Sequence, residues 1–160
     1  MRVLGIDPGS RKLGWGVVER RGRALVGVAA GVVSLPAGKP LPERLSEVFD
    51  AIDAIIEDHA PEVVAVEDVF FAHFPAAAIK LAHVRGVVLV VAERRGLRIA
   101  EYPPALVKRT VTGRGAADKT QVARIVRVTL GLTRVPPSDA ADALAVAITH
   151  LSSLRLFGKR

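Results

Sequence analysis

The sequence predicts an α/β domain built on a five-stranded mixed sheet with helices on both faces. A meander of strand-like apolar runs opens the chain, and short apolar runs then alternate with segments of helical period. Half of the 160 residues are apolar, enough for one sizeable core. With no internal repeat and no low-complexity stretch, residues 1–154 are expected to form one domain, followed by a basic tail over 155–160.

The elements follow in order. Arg2 to Asp7, Leu13 to Glu19 and Ala24 to Val33 read as strands, the last two joined by the turn Arg20-Arg21-Gly22-Arg23. Gly31 marks a bulge or bend. Pro36, Gly38, Pro40 and Pro42 form a linker into a helix in which Leu45, Val48, Phe49, Ile52, Ile55 and Ile56 recur at helical spacing, and which Pro61 ends. Val63 to Val66 is a continuous apolar run, the pattern of a central buried strand. A helix from Ala76 to Arg95 stops at Gly96, and Leu97 to Tyr102 is the fifth strand, closed by Pro103 and Pro104. Ala105 to Val111 is a short helix and Thr112 to Ala117 a glycine-containing loop. Asp118 and Gln121 cap the next helix, whose inner face is Val122, Ile125, Val126 and Leu130. Pro136, Pro137 and Ser138 open the last helix, with Ser138 as its N-cap.

Composition narrows the function. Lys and Arg number 23 against 16 Asp and Glu, a net charge of +7 that favours a polyanion such as nucleic acid. There is no cysteine, which excludes disulfides and thiolate metal sites. The longest uncharged stretches, Gly86 to Ala92 and Ala143 to Thr149, fall short of the ~20 residues of a membrane span, and Asp7 interrupts any apolar signal stretch. A soluble, cytoplasmic chain with no membrane partner is expected.

Within this basic chain, four carboxylates stand at the mouths of apolar segments: Asp7, Glu67, Asp139 and Asp142. Burial there raises a carboxyl pKa or demands a counter-charge, and a divalent metal held against a polyanionic substrate supplies one. Each acid also has a plainer reading. Asp7-Pro8-Gly9 is a turn sequence as well as a close-approach loop. Of Glu67 and Asp68, only one can share a face with Asp7, because adjacent strand residues point to opposite faces. Asp139 and Asp142 share one helix face, where acids also complement the helix dipole. Phe70, Phe71 and Phe74, crowded into one loop, suit either the core or an exposed wedge that stacks on bases. Lys108, Arg109, Arg114 and Lys119 surround Gly113 and Gly115, suited to phosphate contacts or to a solvated loop. His59, His73, His83 and His150 share no ligand spacing.

Together these segments resemble the RuvC family of Holliday-junction resolvases. The matching motifs are Gly5-Ile6-Asp7-Pro8-Gly9-Ser10, Val66-Glu67-Asp68-Val69-Phe70, Val107-Lys108-Arg109-Thr110-Val111, Asp118-Lys119-Thr120-Gln121-Val122 and Asp139-Ala140-Ala141-Asp142-Ala143-Leu144-Ala145, in family order and at family spacing. The resemblance implies a ribonuclease H-like fold and a metal-binding catalytic cluster of Asp7, Glu67, Asp139 and Asp142. It implies that Phe70 probes the junction and that Lys108 and Lys119 contact DNA; Arg114, from the glycine loop between them, is a further candidate DNA contact on its own chemistry. The resemblance further implies a pair of divalent cations, Mg2+ or Mn2+, a homodimer making paired symmetric cuts in four-way junction DNA, and work alongside the RuvA and RuvB branch-migration complex. Relatives usually carry Gln where this chain has Asp68, which adds a negative charge near the site. Some carry His at the position of Asp139, so that residue is compatible with ligand, base or orienter. Two rival readings are an ATPase or kinase half-domain, which opens on a similar Asp-Pro-Gly strand, and a junction binder without catalysis.

Overall fold

The computed structural model describes residues 1–68, 75–113 and 117–157. Its elements are β1 (Arg2–Asp7), β2 (Lys12–Arg21), β3 (Ala24–Ser34), α1 (Leu41–His59), β4 (Val63–Glu67), α2 (Pro75–Arg94), β5 (Arg98–Tyr102), α3 (Pro104–Thr112), α4 (Lys119–Leu130) and α5 (Ser138–Phe157). The five strands form one sheet in the order β3-β2-β1-β4-β5. The β1–β2 and β2–β3 pairs are antiparallel, while β1–β4 and β4–β5 are parallel. This is the mixed sheet expected from the sequence.

Strand alternation sorts the core into two layers. Leu4, Ile6, Leu13, Val17, Val64 and Val66 pack with the inner faces of α1 and α2. Val3, Val18, Val63 and Ala65 pack with α3, α4 and α5 on the opposite face. In α1 the helical period buries Val48, Ile52, Ile55 and Ile56; full burial of such a side chain contributes roughly 1.5–3 kcal/mol. In α5 the residues from Ala143 to Leu151 are all buried, which is why the helix carries no charge there.

Small residues let α5 lie hard against the strands. A Cβ on Gly5 would meet the Ala143 carbonyl oxygen at 2.0 Å, and one on Gly14 would meet the Asp139 carbonyl oxygen at 2.0 Å. These two glycines of β1 and β2 form a track for the helix backbone, and any side chain there would lift it.

Several boundaries differ from expectation. The β2–β3 strands run to Arg21 and from Ala24, so the turn shrinks to Gly22 and Arg23, with Gly22 at φ 59°. The register shift lies between Val17 and Val18, whose partners Ala29 and Gly27 leave Val28 as the extra residue; Gly31 pairs regularly with Trp15. What Gly31 provides is room, since a Cβ there would meet Trp15 Nε1 at 2.9 Å. Pro42 belongs to the first turn of α1 and Pro104 opens α3, positions where a missing N–H costs nothing. Ser138 is the first helical residue of α5, with the Pro137 carbonyl accepting from Ala141 N at 2.8 Å. Asp118 caps α4 as expected, its side chain accepting from Gln121 N. Ile125 is only half-buried and Ala123 takes its place inside. The α5 backbone continues to Phe157, and the remainder of the expected tail lies outside the described residues.

Candidate active site

The parallel β1–β4 pairing sets Ile6 opposite Val66, so the acids that follow each residue leave neighbouring strand ends together. Ile6 and Val66 face α1 and α2. Alternation therefore turns Asp7 and Glu67 to the face that carries α5. Both are half-buried, and they meet: protonated Asp7 donates a hydrogen bond to Glu67. Burial, that bond and the charges of Glu67 and Asp142 push the Asp7 carboxyl up to about 8. Burial also raises Glu67, with Asp142 adding to it, against the opposing pull of the Asp7 bond, Lys119 and Lys108.

Asp142 approaches from the first turns of α5, which the glycine track presses onto β1 and β2. The Lys119 ammonium, at the start of α4, lies 2.9 Å from Asp142 Oδ2. That bond raises the Lys119 pKa, and the charges of Asp142, Asp7 and Asp139 support it. Asp139 thus stands within electrostatic reach of the same ammonium, half-buried at the head of α5. Lys108 of α3 is half-buried and near enough to Glu67 to favour its ionised form.

The structure therefore brings Asp7, Glu67, Asp142 and Lys119 together, with Asp139 and Lys108 at the border. Phe70 and Arg114 lie outside the described residues, as do Phe71, His73 and Phe74. Of the other histidines, His83 is exposed on α2 and His150 is buried, its Nδ1 2.8 Å from the Tyr102 hydroxyl.

Among the described residues no group of three or more His, Asp or Glu side chains is closed up as a metal cage. The donor chemistry suits a hard cation all the same. Every candidate ligand is a carboxylate oxygen, and the carboxylates repel one another in a half-buried place. A proton on Asp7 and the ammonium of Lys119 supply the positive charge that this arrangement needs.

Asp68 proves to belong elsewhere. Its carboxylate lies 3.6 Å from the Arg85 guanidinium of α2, which also pairs with Glu101 of β5. Sequence reasoning did not single out Arg85. The available signal was its place beside Val84 and Val88 on the inner face of α2, where a cation needs a partner.

A family model described as crossover junction endodeoxyribonuclease RuvC matches residues 3–150. A relative of that name from Sorangium cellulosum is 53% identical over 153 residues, covering 96% of this chain and 86% of its own length. The structure of Thermus thermophilus RuvC superimposes with a TM-score of 0.88 at 38% identity, over 98% of this chain and 97% of that one. The Thermus protein in complex with a Holliday junction substrate matches with a TM-score of 0.88 at 36% identity, over 98% and 96%. The sheet with its layers of helices thus finds its counterpart in proteins of one kind, and this chain belongs to the RuvC family of crossover junction endodeoxyribonucleases, with its ribonuclease H-like fold.

Proposed function

We propose that this chain is a structure-selective endonuclease that resolves four-way DNA junctions by paired, symmetric phosphodiester hydrolysis during recombination and repair. The observation that carries this reading is the meeting of Asp7, Glu67 and Asp142 with Lys119 at the ends of two parallel strands. Family membership brings dependence on a divalent cation. Here Asp7, Glu67 and Asp142, with Asp139 beside them, would hold Mg2+ or Mn2+ as a pair of ions. Such ions, when bound, supply an activated water and a stabilised leaving oxygen.

The chain's own residues do the rest. Asp7 must surrender the proton that it shares with Glu67 before either binds a cation fully. Lys119, released from Asp142, is placed to offset charge growing on the reacting phosphate. Lys108 stands on the same flank for the adjoining strand, with Arg114 between them in the chain and Phe70 as the group that tests the junction. Hydrolysis leaves a 5′ phosphate and a 3′ hydroxyl.

Two symmetric cuts call for a two-fold homodimer. The outer face of α2 supports it: Ile79 is 56% exposed and Val90 53%, and the space around Gly86 is open. Residues 1–154 act as one nuclease domain, in the cytoplasm, beside the RuvA and RuvB branch-migration complex. No helix among the described residues is long and apolar enough to cross a membrane.

The test incubates the purified chain with a synthetic four-way junction and a linear duplex, with Mg2+, with Mn2+ and with chelator. Paired nicks confined to the junction and to the metal lanes are expected. Junction binding without nicks under either metal would leave only a binding protein.

A further inference from the structure

The β1–β2 turn carries two cations that the site above does not use. Lys12 opens β2, two residues before Gly14, and Gly14 is the cross-strand partner of Asp7. Leu13 and Val17 are buried on the α1–α2 side, with Trp15 packed beside them. Alternation therefore turns Lys12 and Gly14 to the other face, the one that carries Asp7 and Glu67. Gly14 bears this out, because a Cβ built on it points at the Asp139 carbonyl. Lys12 is thus the same-face diagonal neighbour of Asp7, at roughly 7–8 Å. Arg11 precedes it in the turn, and both side chains are exposed.

What sets them apart from the other cations is their place on the face of the acids, together with the lack of an acid partner of their own. Arg21 is matched by Glu19, Lys39 by Glu47 and Arg95 by Asp53. Arg11 and Lys12 have no ion pair with any acid among the described residues. Lys12 forms no ion pair with Asp7 either; the cation bonded within the acid cluster is Lys119, on Asp142. The acid cluster therefore has cations on two sides, Lys119 and Lys108 from the helices and Lys12 at the start of β2, with Arg11 next to it in the chain.

We propose that Lys12 and Arg11 form a second phosphate-binding site, which holds the DNA backbone next to the cleaved bond on the β1–β2 side. Its ligand is the phosphodiester backbone, read without regard to base sequence. With Lys119 and Lys108 it makes a two-sided clamp across the acids. The proposal rests on the junction-cutting reading and adds to it the side on which the strand leaves the site.

The experiment measures junction affinity in chelator, where no cutting occurs, over a series of salt concentrations. Each lost phosphate contact lowers the slope of log affinity against log salt by about 1. The Arg11→Gln/Lys12→Gln chain is expected to lose about 2 from that slope, on junction and duplex alike, while Lys12→Arg keeps the parental value. Arg98→Gln, an exposed cation at the far end of β5, is the control for general loss of charge. A double variant whose slope matches the parent or the Arg98→Gln control overturns the proposal even if the parent cuts junctions normally. A parent that neither binds nor nicks a junction removes the resolvase reading, and this proposal with it.

Discussion

Glu67 and Asp68 are consecutive acids whose surroundings are opposite. Glu67 turns toward α5, where burial and the neighbouring acids raise its pKa. Asp68 lies beside Arg85, whose guanidinium also pairs with Glu101 of β5. One residue of strand pleat thus separates an acid in excess of its counter-charge from an acid whose charge is answered. Stability alone explains the second cluster. The first holds more negative charge than its protein neighbours balance, which is what a cation-dependent site requires. The charge of Asp68 is thus matched by Arg85 of α2, apart from the acid cluster.

The contrast can be broken in order of expected effect. Glu67→Gln and Asp7→Asn should each lower metal-dependent junction nicking by about 10³-fold or more, while junction binding in chelator persists. Asp68→Asn, assayed beside them, should cut within a few-fold of the parent. Equal loss in all three would show that the two clusters are not functionally distinct.

Gly14→Ala comes next. Its new Cβ would collide with the Asp139 carbonyl, and since that carbonyl is backbone and cannot swing aside the strain should cost about 1–3 kcal/mol, seen as a lower urea midpoint. Because the same shift moves Asp139 and Asp142 away from Asp7, nicking should fall by more than stability explains. Normal nicking in a destabilised Gly14→Ala chain would mean that the track holds the helix without aligning the acids.

A smaller effect separates the clusters by pH. With its carboxyl raised from the ordinary 3.8 to about 8, folded Asp7 keeps a proton across that window which the unfolded chain has lost. In chelator, folding stability linked to this group is therefore present at low pH and declines as pH climbs toward 8. Asp7→Asn should leave Tm nearly unchanged at about pH 3.5, below the unfolded pKa, and raise it progressively up to about pH 9, by roughly 2–4 °C for each kcal/mol recovered. A Tm gain that does not grow with pH would place Asp7 outside the strained cluster.

The smallest effect belongs to the answered acid. Asp68→Asn weakens a partly exposed ion pair and should cost no more than about 1 kcal/mol, less in high salt. Chemical denaturation at low and high ionic strength checks this.

Much of the architecture was legible beforehand, for reasons visible in particular residues. The helical spacing of Val48, Ile52, Ile55 and Ile56 and the unbroken run Val63–Val66 are local patterns, and each became the expected element. The Asp118 cap on Gln121 N was equally local. Expectations failed where a glycine or proline fits more than one local role and the surroundings choose between them. Gly31 resembled a bulge and instead makes room for Trp15, while the bulge fell at Val28, which carries no such mark. Pro42 looked like linker and stands in the first turn of α1.

The same division holds for the site. By itself the sequence determined the order of the elements, the placing of Asp7, Glu67, Asp139 and Asp142 at the mouths of apolar segments, and the basic character of the chain, because periodicity and side-chain chemistry are local. Tertiary structure decided which acids meet. The register of Ile6 with Val66 chose Glu67 over Asp68, the close approach at Gly5 and Gly14 brought Asp142 within reach, and the start of α4 gave Lys119 to Asp142. Those outcomes depend on pairings between segments far apart in the chain, and such pairings are settled by packing both faces of the sheet at once.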